Sequence, residues 1–457
     1  MKTLAWCSSG GSARLRRDPV RGSRVWLCVV VGALAIGGAA RAQRYWDGGG
    51  EGDNDWGNRF NWTADAEPTG SDNCYIGTNV GGSLTATGQL SQTGEACAHL
   101  IVGHSYGTAT LDMIGGALAV GSAGLSVGDY GTGTLNQTSG TLTSGGSVRI
   151  GSNPSTALYA LTGGTLRIAR GTSRKLSVGG SYATGTLNLG NATATGQISE
   201  TGSGGGVSLI VREYSTATGT VEGWGTVGLT GALDNSGKVI ANGYGTNRTL
   251  TLSSFTTVSN TFGNTTTNGW YAVNQGRLSL PAVPVSSGPG VAVNWGESPA
   301  DTTPDLINSV RLTFNSVSAA GSLTIYLDAP DRTGVPFVDA PMGIWNISAS
   351  PALAFDTATL TFRYDDALAT ALGLNEADIC LYHYLDGAWQ DVTTGINTST
   401  NRIWASGIDA FSYFAIGFVV PEPASAMILA AAGLAMAARR RPRGADRSEK
   451  HRHGGPQ

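Results

Sequence analysis

Residues that could do chemistry are sparse in this chain, and their spacing works against catalysis. Between positions 43 and 421 the histidines are His99, His104 and His383. His99 and His104 are an odd number of positions apart, which puts them on opposite faces of a strand and argues against a metal pair. Asp112, Asp129, Glu200, Glu213 and Glu222 fall singly and at differing offsets. Arg149, Arg167, Arg170, Arg174 and Lys175 crowd one stretch without a matching carboxylate pair. Cleaving a glycosidic bond takes converging carboxyls, or a carboxylate-bound metal beside a base. No H-E-x-x-H pair or phosphate loop occurs. The expectation is no catalytic residue, no enzyme and no resident metal. Glu51, Asp53 and Asp55 sit in a Gly/Asn-rich loop that could hold Ca²⁺ through oxygen ligands, although their spacing is not that of an EF-hand. Asp365, Asp366, Glu376 and Asp378 read as caps of a short helix over 366–374, with Asn375 as its stop.

Trp46, Trp56, Phe60 and Trp62 give the 45–62 stretch an aromatic density that the repeats lack. Covering the open end of a stacked fold is one use for them. A sugar platform of Trp46, Trp56 and Trp62 is the other. Cys74 and Cys97 could form a disulfide, and Cys380 reads as a buried thiol in a strand.

The elements that position these residues are repeats. From Leu100 the chain runs LIVGHSYGTATLDMIGGALAVG, then LSVGDYGTGTLNQTSGTLTSGG, then three more copies. First strands start at Leu100, Leu125, Val148, Leu176 and Leu209. Second strands are marked by Leu111, Leu135, Leu158, Leu187 and Val221, and third strands by Leu118, Leu142, Leu166 and Val227. Each piece alternates apolar and small polar residues, so one face points in and one out. One copy buries too little alone, and stacked copies bury a continuous core. The predicted fold is all-β: a right-handed parallel β-helix of six to eight coils over 99–284. An antiparallel meander is the alternative. Gly103, Gly128, Gly151 and Gly179 mark corners, and Thr110, Thr134, Thr186 and Thr220 should form outward ladders. Residues 43–98 read as an aromatic-rich cap. A Pro-rich linker comes at 285–304, then an antiparallel β-sandwich at 305–418 built from runs such as SLTIYLDAP and ICLYHYLDG.

The ends are addresses. Residues 1–42 carry a basic region, an apolar stretch and a small-x-small site at Ala40 and Ala42, with cleavage before Gln43: a secretory signal peptide in helical form. At 419–443 come Pro421-Glu422-Pro423, a short apolar run and Arg439, Arg440, Arg441 and Arg443. The prolines keep the motif extended, the run is shorter than a comfortable bilayer span, and the arginines stop transfer. A tail at 444–457 reads as disordered. This order resembles the PEP-CTERM sorting signal of exported bacterial proteins, which implies processing by signal peptidase and an exosortase-type membrane enzyme. The Gly/Thr-rich copies resemble autotransporter-like surface repeats. The 363–396 stretch resembles a module preceding such tags in planctomycete-like proteins. Together the resemblances imply a structural or matrix protein at the cell envelope, anchored transiently in the membrane and associated with extracellular polysaccharide. A glycan-binding or adhesive role is the alternative, with a polysaccharide-degrading enzyme behind it. Between Gln43 and Pro421 there are 15 Lys and Arg against 28 Asp and Glu, a net of −13. Such a body repels nucleic acid.

Overall fold

The computed structural model describes residues 41–214, 217–259, 269–297, 299–300, 306–329 and 341–417. Ala40, the sorting motif Pro421-Glu422-Pro423 and the arginines from Arg439 lie outside them, as do the helices expected at both ends. The described chain is all-β, with 57% strand and 4% helix, and its first part is a β-solenoid of about eight turns.

Like strands pair in parallel, so inward side chains pile on their own kind. One column runs Cys74, Leu100, Leu125, Val148, Leu176, Leu209, Leu233 and Val258. A second runs Leu111, Leu135, Tyr159, Leu187, Val221, Val239 and Tyr271. A third holds Leu118, Leu142, Leu166, Ile198, Val227 and Leu252. The second column corrects one marker. Tyr159 is buried in place of Leu158, which faces outward between Thr134 and Thr186. Register decides this, because a one-residue slip would turn every side chain of the strand over. The Tyr159 hydroxyl donates to buried Gln137 Oε1 at 2.5 Å, and Gln137 Nε2 donates to the carbonyls of Gly140 and Thr165.

Corners need glycine for two reasons at once. Gly103 has φ +76°, and a Cβ there would lie 2.2 Å from the Thr132 carbonyl oxygen of the next coil. Gly128, Gly151 and Gly179 repeat the same left-handed backbone.

The solenoid begins earlier than the sequence suggests. Gln43–Tyr45 pairs in parallel with Asn73–Ile76, and Thr85–Leu90 pairs with Thr108–Met113. The expected cap over 43–98 therefore contains coils of its own. Within it the tryptophans close the end of the core. Trp46 and Trp62 meet edge to face at 5.1 Å, as do Trp56 and Trp62 at 4.8 Å. The Trp46 ring lies over Gly88, which occupies the second column where the next coil has Leu111.

The described part of the expected linker, 285–297, carries strands. Gly288–Pro289 pairs with Ser316–Ala319, and Ala292–Trp295 with Val310–Phe314. Antiparallel strands come next in two groups, Gly321–Asp328 with Gly343–Ala349, Tyr413–Gly417 and Cys380–Leu385, and Val310–Phe314 with Ala358–Arg363 and Arg402–Ile408. Arg277–Ser279 of the solenoid pairs directly with Gly321–Asp328, and Arg277 grips Asp328 through Nε at 2.5 Å and Nη2 at 2.7 Å. Solenoid and antiparallel sheets thus form one compact unit. The short helix is Asp366–Ala371, capped by Asp365 accepting from Leu368 N. No helix among the described residues is long and apolar enough to cross a membrane.

Candidate functional site

The tryptophan platform is not available to a sugar. Trp46, Trp56 and Trp62 are at most 2% exposed, and the Trp62 indole donates to the Trp56 carbonyl at 2.8 Å. Their apolar rings do more by covering the core than by facing water. The acidic loop is likewise occupied. Asp53 accepts from Asp55 N and Asn58 Nδ2, and Asp55 accepts from Gly57 N and Gln92 Nε2. Among the described residues no three His, Cys, Asp or Glu gather as a metal site. Cys74 and Cys97 are both buried and adjacent, and both are free thiols here. Burial, reinforced by Cys97, pushes the Cys74 thiol far above its ordinary range. Cys380 lies in a strand but is only half-buried.

Exposed aromatics occur elsewhere. Tyr106, Tyr130 and Tyr182 are 81%, 45% and 59% exposed. Each sits at the corner before a second strand, two residues ahead of Thr108, Thr132 and Thr184. Pro154 holds the equivalent place before Thr156. Stacking aligns the corners, since Tyr106 N donates to the Tyr130 carbonyl at 2.6 Å. Tyr182 extends the row by meeting Tyr214 edge to face at 5.1 Å. Beside them Thr85, Thr108, Thr132, Thr156 and Thr184 form one exposed column, each in register with the next. Coil spacing places these hydroxyls about 4.8 Å apart. Rings and hydroxyls border a shallow groove of about 440 Å³.

The backbone under the tyrosines is unusual. Their φ values are +67°, +58° and +61°, the left-handed region where glycine or asparagine is normal and a bulky aromatic is rare. Asn153 takes that conformation in the coil with Pro154. Three large rings held where a small residue would sit more easily point to a use for the rings. Nothing in the repeat periodicity singles them out. The recurring signal is Tyr-Gly-Thr, Tyr-Gly-Thr and Tyr-Ala-Thr at the same corner of three copies.

Across the corner lies a polar cleft of about 470 Å³. Arg149, Lys175 and Arg212 line it with His99, and Asp129 is its one carboxylate. These side chains come from several coils. Ser126, Arg149 and Ser177 stand in register, and Lys175 is in register with Ser208. Asp129 Oδ1 accepts from Ser152 Oγ and Asn153 Nδ2, at 3.2 and 2.7 Å. Arg149 is exposed, with no ion-pair partner among the described residues. Burial and then Arg149 lower the basicity of His99, while Asp129 opposes them. Of the arginine cluster read from sequence, Arg170 instead pairs with Glu200 at 3.3 Å, and Arg174 donates to the Ser122 carbonyl.

No family model, no curated protein and no solved structure matches this chain.

Proposed function

We propose that this is an exported, non-catalytic scaffold that lodges in extracellular polysaccharide at the cell envelope. The reading combines two supports. Signal peptidase would release the chain at Gln43, and an exosortase-type enzyme would process it at Pro421-Glu422-Pro423 after the short apolar anchor and its arginines halt transfer. The solenoid is taken as right-handed, the hand of nearly all parallel crossovers. The two antiparallel groups are taken as the faces of a sandwich, with Trp345 and Phe362 meeting at 4.8 Å between them.

The observation that carries the polysaccharide reading is the tyrosine–threonine face. Apolar sugar faces stack on exposed aromatic rings, and sugar hydroxyls exchange hydrogen bonds with an ordered row of side-chain hydroxyls. A face that repeats every coil suits a polymer that also repeats, and many weak contacts add up along it. Two measurements test this. Ending the chain at Val420 should move the protein from the envelope to the medium or the cytosol, and unchanged location would remove the sorting signal from the account. Tyr106→Ala with Tyr182→Ala should reduce retention on insoluble polysaccharide about tenfold without lowering thermal stability, because both rings are in water. Equal retention would remove the face.

A further inference from the structure

We propose that the cleft formed by Arg149, Lys175 and Arg212 receives the anionic group, carboxylate or sulfate, of an acidic polysaccharide lying along the tyrosine–threonine face. The inference rests on the polysaccharide reading above and adds the ligand's charge. Three observations carry it. The first is adjacency. Asp129, Asn153 and Ser181 line the cleft, while Tyr130, Pro154 and Tyr182, the very next residues, line the groove. One corner ridge therefore separates the two, and a sugar stacked on its rings has the cleft within reach of its substituents.

The second is charge. Arg149, Lys175 and Arg212 line the cleft with one lining carboxylate, Asp129, and Asp234 also acts on Arg212, within a body of net −13. A polyanion is repelled by such a body overall, so attraction has to be local, which makes the cleft selective rather than generally sticky. The third is geometry. Arg149 holds its guanidinium in water without a described ion-pair partner, two positions from Gly151 at the corner. A guanidinium presents a planar fork that matches two oxygens of a carboxylate or sulfate. Ser177, in register beside Arg149 and partly exposed, supplies a further hydroxyl donor. Burial lowers the basicity of Arg212, Asp234 opposes it, and Arg149 adds a smaller push in the same direction as burial, which places the two guanidinium groups within reach of each other's field.

The test compares binding of the full chain to alginate (carboxylate), dextran sulfate (sulfate) and dextran (neutral) by affinity electrophoresis. Wild type should bind at least one acidic polymer about tenfold or more above dextran, and added salt should erase the difference. Binding of alginate alone assigns the carboxylate, and binding of dextran sulfate alone assigns the sulfate. Arg149→Glu should abolish the acidic preference and leave dextran binding intact, while Arg149→Lys should keep most of it. Arg149 is exposed, so both variants should melt like wild type. If all three polymers bind alike, or Arg149→Glu changes nothing while Tyr106→Ala weakens binding, the cleft proposal is overturned and the face survives. If no polymer binds, the polysaccharide reading fails and takes the cleft with it.

Discussion

In the solenoid a buried position repeats along the axis, Leu100 on Leu125 on Val148 on Leu176. In the antiparallel sheets each buried position has neighbours of its own. Trp345 meets Phe362 at 4.8 Å, Phe362 meets Phe414 at 6.1 Å, and His383 stacks on Phe414 at 4.0 Å. Fully buried charge also collects in the second region. Arg363 and Glu297 are at most 2% exposed, and Glu297 is shared between Arg363 at 3.5 Å and Arg402 at 2.9 Å. The contrast shows two ways to specify a fold. Stacked coils depend on repetition, and each coil answers only to the coils beside it. The sheets depend on singular contacts, each of which ties distant stretches of chain together. Substitutions should therefore act locally in one region and globally in the other.

The largest effect is expected where a singular contact is charged. Glu297→Ala would remove the buried carboxylate that Arg363 and Arg402 share, and breaking a buried ion pair costs about 3–5 kcal/mol. Denaturant unfolding should register that loss, with protection from hydrogen exchange falling throughout the antiparallel strands. A loss below about 1 kcal/mol would mean that the triad is solvated, and the contrast would lose its sharpest member.

Leu176→Ala probes the repeating side. Truncating a fully buried leucine costs about 2–5 kcal/mol, and Leu176 has no exposed surface. Protection should fall in the coils carrying Val148 and Leu209, its neighbours in the column, and stay intact around Trp345. Equal loss in both regions would break the comparison outright. A smaller effect belongs to Tyr159→Phe, which leaves buried Gln137 Oε1 without its hydroxyl donor. An orphaned buried acceptor costs about 1–3 kcal/mol, readable as a lowered unfolding midpoint. No change would show that Gln137 finds another donor.

The same contrast governs how much is legible in the sequence. The first column can be read from the chain because Leu, Val and Leu recur before each corner glycine, and repetition averages out noise. Single coils are misread where their residue types mislead. Leu158 looks more like core than Tyr159 does, yet the register fixed by neighbouring coils buries the tyrosine and gives its hydroxyl to Gln137. The first coils are hidden because Cys74 and Gly88 stand where later coils have leucine, with the Trp46 ring supplying the missing bulk over Gly88. The tyrosine row escapes a sequence reading because exposure and left-handed backbone are properties of the corner, not of the residue type. The cleft is half legible. Arg149 and Lys175 stand out as a basic stretch, but Arg212 reaches them only because coils distant in sequence stack in space. In the antiparallel region strand runs are visible from their β-branched and aromatic residues. The partners of Arg363 are not, since nothing local links it to Glu297.

The smallest effects differ in sign. Glu95 lies near the tryptophan cap, where burial and then the hydrogen-bonded Glu67 raise its carboxyl from 4.5 to about 7. The folded chain holds a proton there that the unfolded chain releases, so this stabilisation is complete below about pH 4.5 and lost as pH rises through 7. His383 behaves in the opposite way. Burial lowers its imidazole from 6.5 to about 4, so its contribution is present above pH 6.5 and lost as pH falls toward 4. Over one pH window the capped end of the solenoid should loosen as alkali is added, and the strand Cys380–Leu385 should loosen as acid is added. Hydrogen exchange resolved by segment separates the two, which a single melting curve would blend. Glu95→Gln should flatten only the first profile and His383→Gln only the second. Both regions loosening in the same direction, or either variant flattening both profiles, would show that the two cores are coupled rather than built on separate rules.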